Sequence, residues 1–147
     1  MKKGYGNQLK KHRFTLIEVV IVIVILVTLA SIATPMYLKY VRNANIGTAK
    51  TQIKLLSDAV VGYKTEIGRY PDSENGLRAL LENVDDNEKW QGPYLNPAIL
   101  PKDPWGNEYG YSSPAQEAEN RDFEIFSYGA DGGPGGEEED ADIYNWQ

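Results

Sequence analysis

Residues 14–35 read FTLIEVVIVIVILVTLASIATP, a run in which Glu18 is the only charged residue. A helix of about 20 predominantly apolar residues is long enough to cross a bilayer. A carboxylate in such a helix is unfavourable by about 2.5–3.5 kcal/mol near the bilayer centre, and by less near the interface. A plain anchor has no use for this acid, so Glu18 indicates a helix that meets a positively charged partner inside the membrane.

Charge is divided unevenly on the two sides of this run. Residues 1–13 carry five of the 15 basic residues and no acid, whereas residues 14–147 carry the other 10 and all 21 acidic residues, a formal charge of −11. The basic end predicts a cytoplasmic N-terminus by the positive-inside rule. The acidic remainder argues against nucleic-acid binding, which needs clustered Lys and Arg to neutralise phosphates.

A cleaved secretory signal peptide is the alternative for this N-terminus, because it also joins a basic region to an apolar one. The apolar stretch of residues 14–34 is longer than the usual apolar region of a signal peptide. It also lacks a small-x-small cleavage site followed by a polar segment, since residues 30–33 (ASIA) lead into residues 36–38 (MYL). We therefore favour a retained membrane helix.

Helical periodicity continues beyond Pro35. Apolar residues recur at alternating steps of three and four, which places them on one face of a helix. These positions are Ile46, Ala49, Ile53, Leu56, Val60, Tyr63 and Ile67. We expect this stripe to pack on the chain's own small domain and not on a coiled-coil partner. Gly68 and Pro71 predict the end of the helix, and Pro35 predicts a kink or local melting within it.

The remaining sequence predicts a small antiparallel sheet. Residues 75–81 indicate a short helix, and the polar residues 82–104 indicate a surface loop. The loop side chains expected to reach the core are Tyr94, Leu95, Ile99 and Leu100. Alternation at residues 108–112 and 122–128 predicts two strands joined by a hairpin loop. A long helix followed by such a sheet gives an α+β fold.

Residues 128–142 read YGADGGPGGEEEDAD and form an acidic, glycine-rich segment. Folding it back would bring Asp131, Asp140 and Asp142 together with free backbone carbonyls. Ca²⁺ takes six to eight oxygen ligands of this kind from flexible loops, and Mg²⁺ fits less well because it prefers strict octahedra. The spacing does not match an EF-hand.

A disordered, solvated acidic tail is the alternative for this segment, because runs of like charge are commonly solvated. Ile143 and Trp146 follow the acids and favour an ordered segment that returns to the core. Both interpretations remain open on the residues alone.

Groups that could carry catalysis are scarce. The only histidine is His12, in the basic leader, and there is no cysteine, so disulfides and thiol chemistry are excluded. Adjacent acids such as Asp85 and Asp86 are typical of solvated loops. Residues 103–107 (DPWGN) indicate a tight turn whose Trp105 packs at the edge of the sheet. We predict that the chain is not an enzyme.

Together these motifs resemble the type IV pilin-like superfamily and, within it, the major pseudopilins of type II secretion systems. The superfamily motif is the basic leader before FTLIE at 14–18, with Pro35 downstream. The narrower resemblance rests on GRYP at 68–71, NGLRAL at 75–80, GPYL at 92–95, LPKDPWGN at 100–107 and FSYGADG at 126–132.

The resemblance implies a pilin-like fold in three parts: a leader peptide of residues 1–13, a transmembrane and assembly helix of residues 14–35, and a periplasmic globular domain of residues 36–147. The protein would be a single-pass protein of the bacterial inner membrane. It would polymerise with copies of itself into a periplasmic helical filament, whose growth pushes folded exoproteins through an outer-membrane channel. The implied partners are minor pseudopilins, an inner-membrane assembly platform and a prepilin peptidase.

The family's processing and assembly residues carry over onto the start of the apolar run. The peptidase would cut between Arg13 and Phe14, and the new amine of Phe14 would be N-methylated. At the residue before the cut the family has Gly, where this chain has Arg13. Glu18 of an incoming subunit would then meet the Phe14 amine of a neighbour, and opposite charges attract far more strongly in a low-dielectric stack than in water. Pro35 belongs to the same assembly segment.

The resemblance also implies a calcium ion in the C-terminal segment, where many pilins have a disulfide. The ligands that carry over are the side chains of Asp131, Asp140 and Asp142 and the backbone oxygens of Tyr128 and Gly133. One acid of residues 137–139 could replace or supplement an aspartate.

Two alternative functions remain. A type IV pilin or minor pseudopilin would serve adhesion, motility or DNA uptake, but such pilins usually carry a C-terminal cysteine pair. A membrane-anchored calcium-binding or hydrolytic domain acting alone would have no use for Glu18.

Overall fold

The fold is built on one long helix, α1, which spans Leu16–Ile67. The structure is a computed structural model and describes residues 14–147, so the predicted leader, with Arg13, lies outside it. The predicted length of about 50 residues is confirmed. The chain remains helical through Pro35, so local melting is not seen there, although the proline supplies no N–H to the helix.

The end of α1 follows the sequence signal. Gly68 has φ +90°, and its N–H donates to the Lys64 carbonyl at 2.8 Å. A glycine in this left-handed conformation is a common helix terminator, because it satisfies a carbonyl that the last turn leaves open.

Contacts within the chain define two compact units, and α1 contributes to both. One unit ends at Lys39 and the other spans Tyr40–Gln147. The sequence predicted the start of the globular part at residue 36.

The apolar stripe of α1 forms the centre of the globular core. Its buried members are Ala49, Ile53, Leu56, Val60, Tyr63 and Ile67, and Ile46 packs at the edge of the same cluster. Each fully buried aliphatic side chain of this size stabilises the fold by about 1.5–3 kcal/mol. The stripe therefore packs on the chain's own domain, as predicted.

A three-stranded antiparallel sheet supplies the other side of the core. Its strands are β1 (Gly110–Ser112), β2 (Glu124–Ser127) and β3 (Ile143–Tyr144), in the order β1-β2-β3. The paired residues include Tyr111 with Ile125 and Phe126 with Tyr144. Ile125 and Ile143 are buried in the same cluster as the α1 stripe.

The predicted strands are longer than the observed ones, and β3 was not predicted as a strand. A two-residue strand shows no alternation, so only its buried Ile143 gave a sequence signal. Gly110 in β1 is required by close packing, because a Cβ there would lie 2.2 Å from the Cζ atom of Phe126. A glycine inside a strand often marks such a close approach.

The segments between α1 and the sheet complete the core. Residues Gly76–Leu80 form a 3₁₀ helix, where the sequence indicated a short helix. Tyr94, Leu95 and Leu100 are partly buried against the core, as expected. The prediction for Ile99 is wrong, because its side chain is 67% exposed.

Candidate functional site

The first turn of α1 places Glu18 beside a helix cap. The Glu18 N–H donates to Thr15 Oγ1 at 3.3 Å, and the Val19 N–H donates to the Thr15 carbonyl at 3.3 Å. Thr15 is therefore the N-cap, and an acid three residues later is favoured by the partial positive charge of the helix N-terminus. This cap was not predicted, although Thr-x-x-Glu is a known helix-start signature.

The apolar run is exposed in the part of the chain that the structure describes. All residues from Phe14 to Tyr40 are exposed, and α1 is long and apolar enough at this end to cross a membrane. The hydroxyls of Thr28, Ser31 and Thr34 donate to helix carbonyls at 2.7–2.8 Å. These polar groups are thus satisfied within the helix, as a lipid environment requires.

The turn of residues 103–107, here named the Asp103 turn, is organised around one buried carboxylate. Asp103 is 4% exposed; its Oδ1 accepts from the N–H groups of Trp105 at 3.1 Å and Asn107 at 2.8 Å. Its Oδ2 accepts from the Ser127 hydroxyl at 2.7 Å. Ser127 Oγ accepts in turn from the Gly129 N–H at 3.2 Å, so the turn holds the start of the acidic segment.

The acidic segment, residues 128–142, is called the C-terminal loop below, and it is folded back on itself. The Ala130 N–H donates to the Glu139 carbonyl at 2.9 Å, and the Asp142 N–H donates to the Gly135 carbonyl at 3.2 Å. These bonds join the two arms of the loop, so the segment is folded back and ordered, which is one of the two alternatives that the sequence left open.

Glycines make this close approach possible. Gly129 has φ +70° and Gly136 has φ +81°, conformations that other residues rarely adopt. A Cβ on Gly136 would lie 2.4 Å from the carbonyl oxygen of Asp140, and one on Gly129 would lie 2.6 Å from that of Glu139. Neither position has room for a side chain.

The carboxylates of the three aspartates in the loop accept few hydrogen bonds from the described residues. Asp131 Oδ1 accepts from the Gly133 N–H at 3.1 Å. The Asp142 carboxylate accepts from the Gly135 N–H at 3.0 and 3.1 Å and from the Tyr144 hydroxyl at 3.4 Å. Asp131 and Asp140 are exposed, and Asp142 is partly exposed. A carboxylate has about four lone-pair sites, so each aspartate can accept further bonds.

The proposed ligands offer the oxygen donors that a calcium ion prefers. Their side chains, however, are not yet close enough together to share one ion. Among residues 14–147, no group of three or more acidic or histidine side chains is close enough to hold a metal ion. The carbonyl oxygens of Tyr128 and Gly133 accept no hydrogen bond from the described part of the chain. The oxygen donors therefore lie in one folded loop, and a calcium ion would require the three aspartate carboxylates to move closer together.

Glu138 and Glu139 have different surroundings from the aspartates, because residues of α1 and of the Asp103 turn contact them. Arg42 donates from Nη1 to Glu138, and its Nε lies 3.7 Å from Glu139 Oε2. Glu139 Oε1 accepts from Trp105 Nε1 at 2.8 Å and from Asn45 Nδ2 at 3.3 Å. The hydrogen bond from Trp105 lowers the pKa of Glu139 below its ordinary value, and Asn45 and Arg42 act in the same direction against burial.

Comparisons with known proteins agree with this architecture. The family model "Type II secretion system (T2SS), protein G" matches residues 36–146. The chain is 41% identical over 140 residues to the type II secretion system core protein G of Vibrio cholerae, covering 93% of this chain and 92% of the relative. It is 39% identical over 137 residues to the protein of the same name from Pseudomonas aeruginosa, covering 90% and 93%.

A solved structure shows the same fold. The crystal structure of the major pseudopilin from the type 2 secretion system of enterohaemorrhagic Escherichia coli is 34% identical to this chain, with a TM-score of 0.57. The match covers 71% of this chain and 88% of that one. The α+β fold and the resemblance drawn from the sequence motifs are confirmed, and the chain belongs to the type II secretion system protein G family, the major pseudopilins.

Proposed function

We propose that this chain is the filament-building subunit of a type II secretion pseudopilus and that Glu18 is its docking charge. The proposal is carried by the uncovered apolar run that contains this acid. Residues 14–40 are exposed in the described part of the chain, and a run this apolar requires lipid or other copies of the chain to cover it. Before assembly, residues 14–35 anchor the subunit in the inner membrane with the globular domain in the periplasm.

Docking follows from the electrostatics of an apolar environment. After cleavage, the amine of Phe14 carries a positive charge, and Glu18 carries a negative one in the first turn of α1. Each charge offsets the desolvation of the other when two subunits meet. Because a smooth apolar helix can slide along its neighbours, the pair also defines the axial register of the filament. Minor pseudopilins and the assembly platform would begin and drive this addition.

Substitution of Glu18 tests the docking role. Glu18→Leu and Glu18→Gln should insert into the membrane as the wild type does, because both remove a charge from the span, but should abolish filaments in cells that overproduce the chain. The readouts are electron microscopy of sheared filaments and alkaline extraction of membranes. Glu119→Gln, an exposed acid of the hairpin loop, is the matched control. Normal filaments from Glu18→Leu would contradict the docking role of Glu18, whereas a wild type that forms no filaments would favour an anchored domain that acts alone.

Processing between Arg13 and Phe14 is the step that creates the docking amine. The mature protein should begin at N-methylated Phe14, which intact-mass analysis of the native protein measures directly. Arg13→Gly, which restores the residue typical of the family, should be cleaved at least as fast as the wild type. A native protein that retains residues 1–13 within filaments would contradict this proposal.

We further propose that the C-terminal loop binds calcium through the side chains of Asp131, Asp140 and Asp142 and the backbone oxygens of Tyr128 and Gly133. Three observations support this proposal. The loop is folded back on itself, its carboxylates have lone pairs to spare, and the Tyr128 and Gly133 carbonyl oxygens accept no hydrogen bond from the described residues. When bound, the ion would supply positive charge that offsets the mutual repulsion of these acids. The Asp142 carboxylate would have to exchange its Gly135 N–H for the ion.

Calcium should then stabilise the folded domain, because it binds the native state and not the unfolded one. At 100 times the dissociation constant the gain is about 2.7 kcal/mol, a rise of roughly 10 °C in the melting temperature of a domain this size. The measurement is thermal melting of the full chain in detergent, with calcium and with chelator. Identical melting curves in both conditions would contradict calcium binding.

A further inference from the structure

Two acids of the C-terminal loop are tied to other parts of the globular unit. Glu139 is joined to α1 by Arg42 and Asn45 and to the Asp103 turn by Trp105, while Glu138 pairs with Arg42. Glu139 and Arg42 lie 97 positions apart in the sequence. The loop is therefore tethered to two separate elements at a single carboxylate.

This carboxylate has little capacity left for an ion. Glu139 Oε1 already accepts two hydrogen bonds, and Oε2 faces the Arg42 guanidinium. To bind calcium, Glu139 would have to release the Trp105 indole and move away from the buried Arg42 Nε, which has no hydrogen-bond partner among the described residues. Glu138 would then be the one acid still paired with that guanidinium among the described residues. Asp131 and Asp140 can bind at no such cost, because they are exposed and make no hydrogen bond to a side chain among the described residues.

We propose that Glu139 is a positioning residue, which holds the C-terminal loop folded on α1 and Trp105 before the ion binds and is not itself a ligand. This inference rests on the proposed calcium loop and states which acid of residues 137–139 does not supplement the aspartates. It also assigns Arg42 and Asn45 a role at the loop, which their sequence context does not indicate.

The tether acts through the population of the folded loop. A ligand's apparent affinity falls in proportion to the fraction of protein in the binding-competent state. Holding the loop folded in the metal-free protein keeps that fraction high, so the tether raises calcium affinity without contacting calcium. Its loss should weaken binding and leave the fully loaded site unchanged.

Hydrogen exchange in the metal-free protein provides the first test. The amides of Ala130 and Asp142 bond across the loop, so their exchange reports its opening. Glu139→Ala should raise exchange at both amides about tenfold in chelator and move the NMR resonance of the Trp105 indole N–H. Glu137→Ala is the matched control, because Glu137 is an exposed acid two residues away that makes no side-chain bond among the described residues.

Two further variants separate the tether from general damage to the fold. Arg42→Gln removes the α1 side of the tether and should raise the same two exchange rates. Combining it with Glu139→Ala should add little, because the effects of residues in contact are not additive. Glu139→Gln keeps an oxygen for Trp105 and should restore part of the protection. Unchanged exchange in both Glu139→Ala and Arg42→Gln would overturn the tether.

Calcium titration of the full chain distinguishes positioning from ligation. Glu139→Ala should weaken calcium binding about tenfold, yet saturating calcium should return Ala130 and Asp142 to wild-type exchange. Failure to recover at saturation would make Glu139 a ligand and overturn the inference. If calcium has no effect on the wild type, the calcium proposal fails, and the metal-free exchange of Glu139→Ala still decides whether the tether exists.

Discussion

The Asp103 turn and the C-terminal loop are built from the same residue types and use their carboxylates in opposite ways. Asp103 is buried and accepts three hydrogen bonds from the protein itself. Asp131 and Asp142 lie in a glycine-rich loop and each accept the N–H of one glycine, and Asp142 also accepts a long hydrogen bond from the Tyr144 hydroxyl. The protein's own donors satisfy the first carboxylate, whereas the others keep lone pairs for a ligand. An aspartate in a segment that contains proline and glycine is therefore structural in one place and a candidate ligand in the other.

Removing the carboxylate of Asp103 should have the largest effect. Asp103→Ala leaves two backbone N–H groups and the Ser127 hydroxyl without their acceptor, and each buried group left unsatisfied costs about 1–3 kcal/mol. We expect a loss of about 3 kcal/mol or more in the free energy of unfolding. Urea unfolding of the full chain in detergent, followed by tryptophan fluorescence, measures it.

The loss from Asp103→Ala should be equal in calcium and in chelator, because this carboxylate is proposed to be structural. A loss confined to calcium-containing buffer would show that Asp103 acts through the ion and would remove the contrast between the two regions.

Asp131→Asn should give the opposite pattern. The asparagine oxygen can still accept the Gly133 N–H, so unfolding in chelator should change by less than about 0.5 kcal/mol, as for most surface substitutions. In saturating calcium the variant should lose most of the stabilisation of about 2.7 kcal/mol that the ion gives at 100 times its dissociation constant. Asp58→Asn, an exposed acid of α1, controls for the loss of one negative charge.

The contrast between these regions also shows what the sequence can predict. The α1 stripe from Ile46 to Ile67 was predictable because its helical spacing repeats over about six turns. Any short segment of this sequence therefore shows the same pattern of apolar residues. The Thr15 cap was readable as well, from its spacing to Glu18. β3 was not, since two residues are too short for any period to appear.

Long-range contacts explain why the candidate site was predicted only in part. The residue types of the C-terminal loop indicated oxygen ligands and a folded-back segment, because both are properties of a local stretch. Nothing local indicates that Asp103 accepts from Ser127, 24 residues away, or that Glu139 pairs with Arg42. Such partners are set by the packing of α1 against the sheet, so a run of three glutamates gave no sign that its last member is a tether.

Gly136→Ala should break the folded-back loop without touching a carboxylate. The new Cβ would lie 2.4 Å from the Asp140 carbonyl oxygen, and the φ of +81° would be strained for alanine. We expect a loss of about 1–3 kcal/mol, the range for strained backbone positions, together with weaker calcium binding. Melting and calcium titration measure the two effects.

Gly133→Ala is the matched control for Gly136→Ala, because its Cβ would meet nothing within 4 Å and its φ is not positive. It also keeps the backbone oxygen proposed as a ligand. Equal losses from the two substitutions would show that loop geometry is not what Gly136 provides.

Ser127→Ala should have the smallest effect and tests whether the two regions are coupled. Its hydroxyl donates to Asp103 and accepts from the Gly129 N–H at the start of the C-terminal loop. Its loss leaves Asp103 Oδ2 and the Gly129 N–H without this partner, and each buried group left unsatisfied costs about 1–3 kcal/mol. Because Asp103 keeps its two backbone donors, we expect a loss at the lower end of this range. Ser57→Ala, whose hydroxyl bonds to the Ile53 carbonyl within α1, is the matched control.

If Ser127 couples the turn to the loop, its loss should also weaken calcium binding, whereas Ser57→Ala should leave calcium binding unchanged. A calcium affinity unaffected by Ser127→Ala would mean that the Asp103 turn stabilises the fold and the loop binds its ion independently.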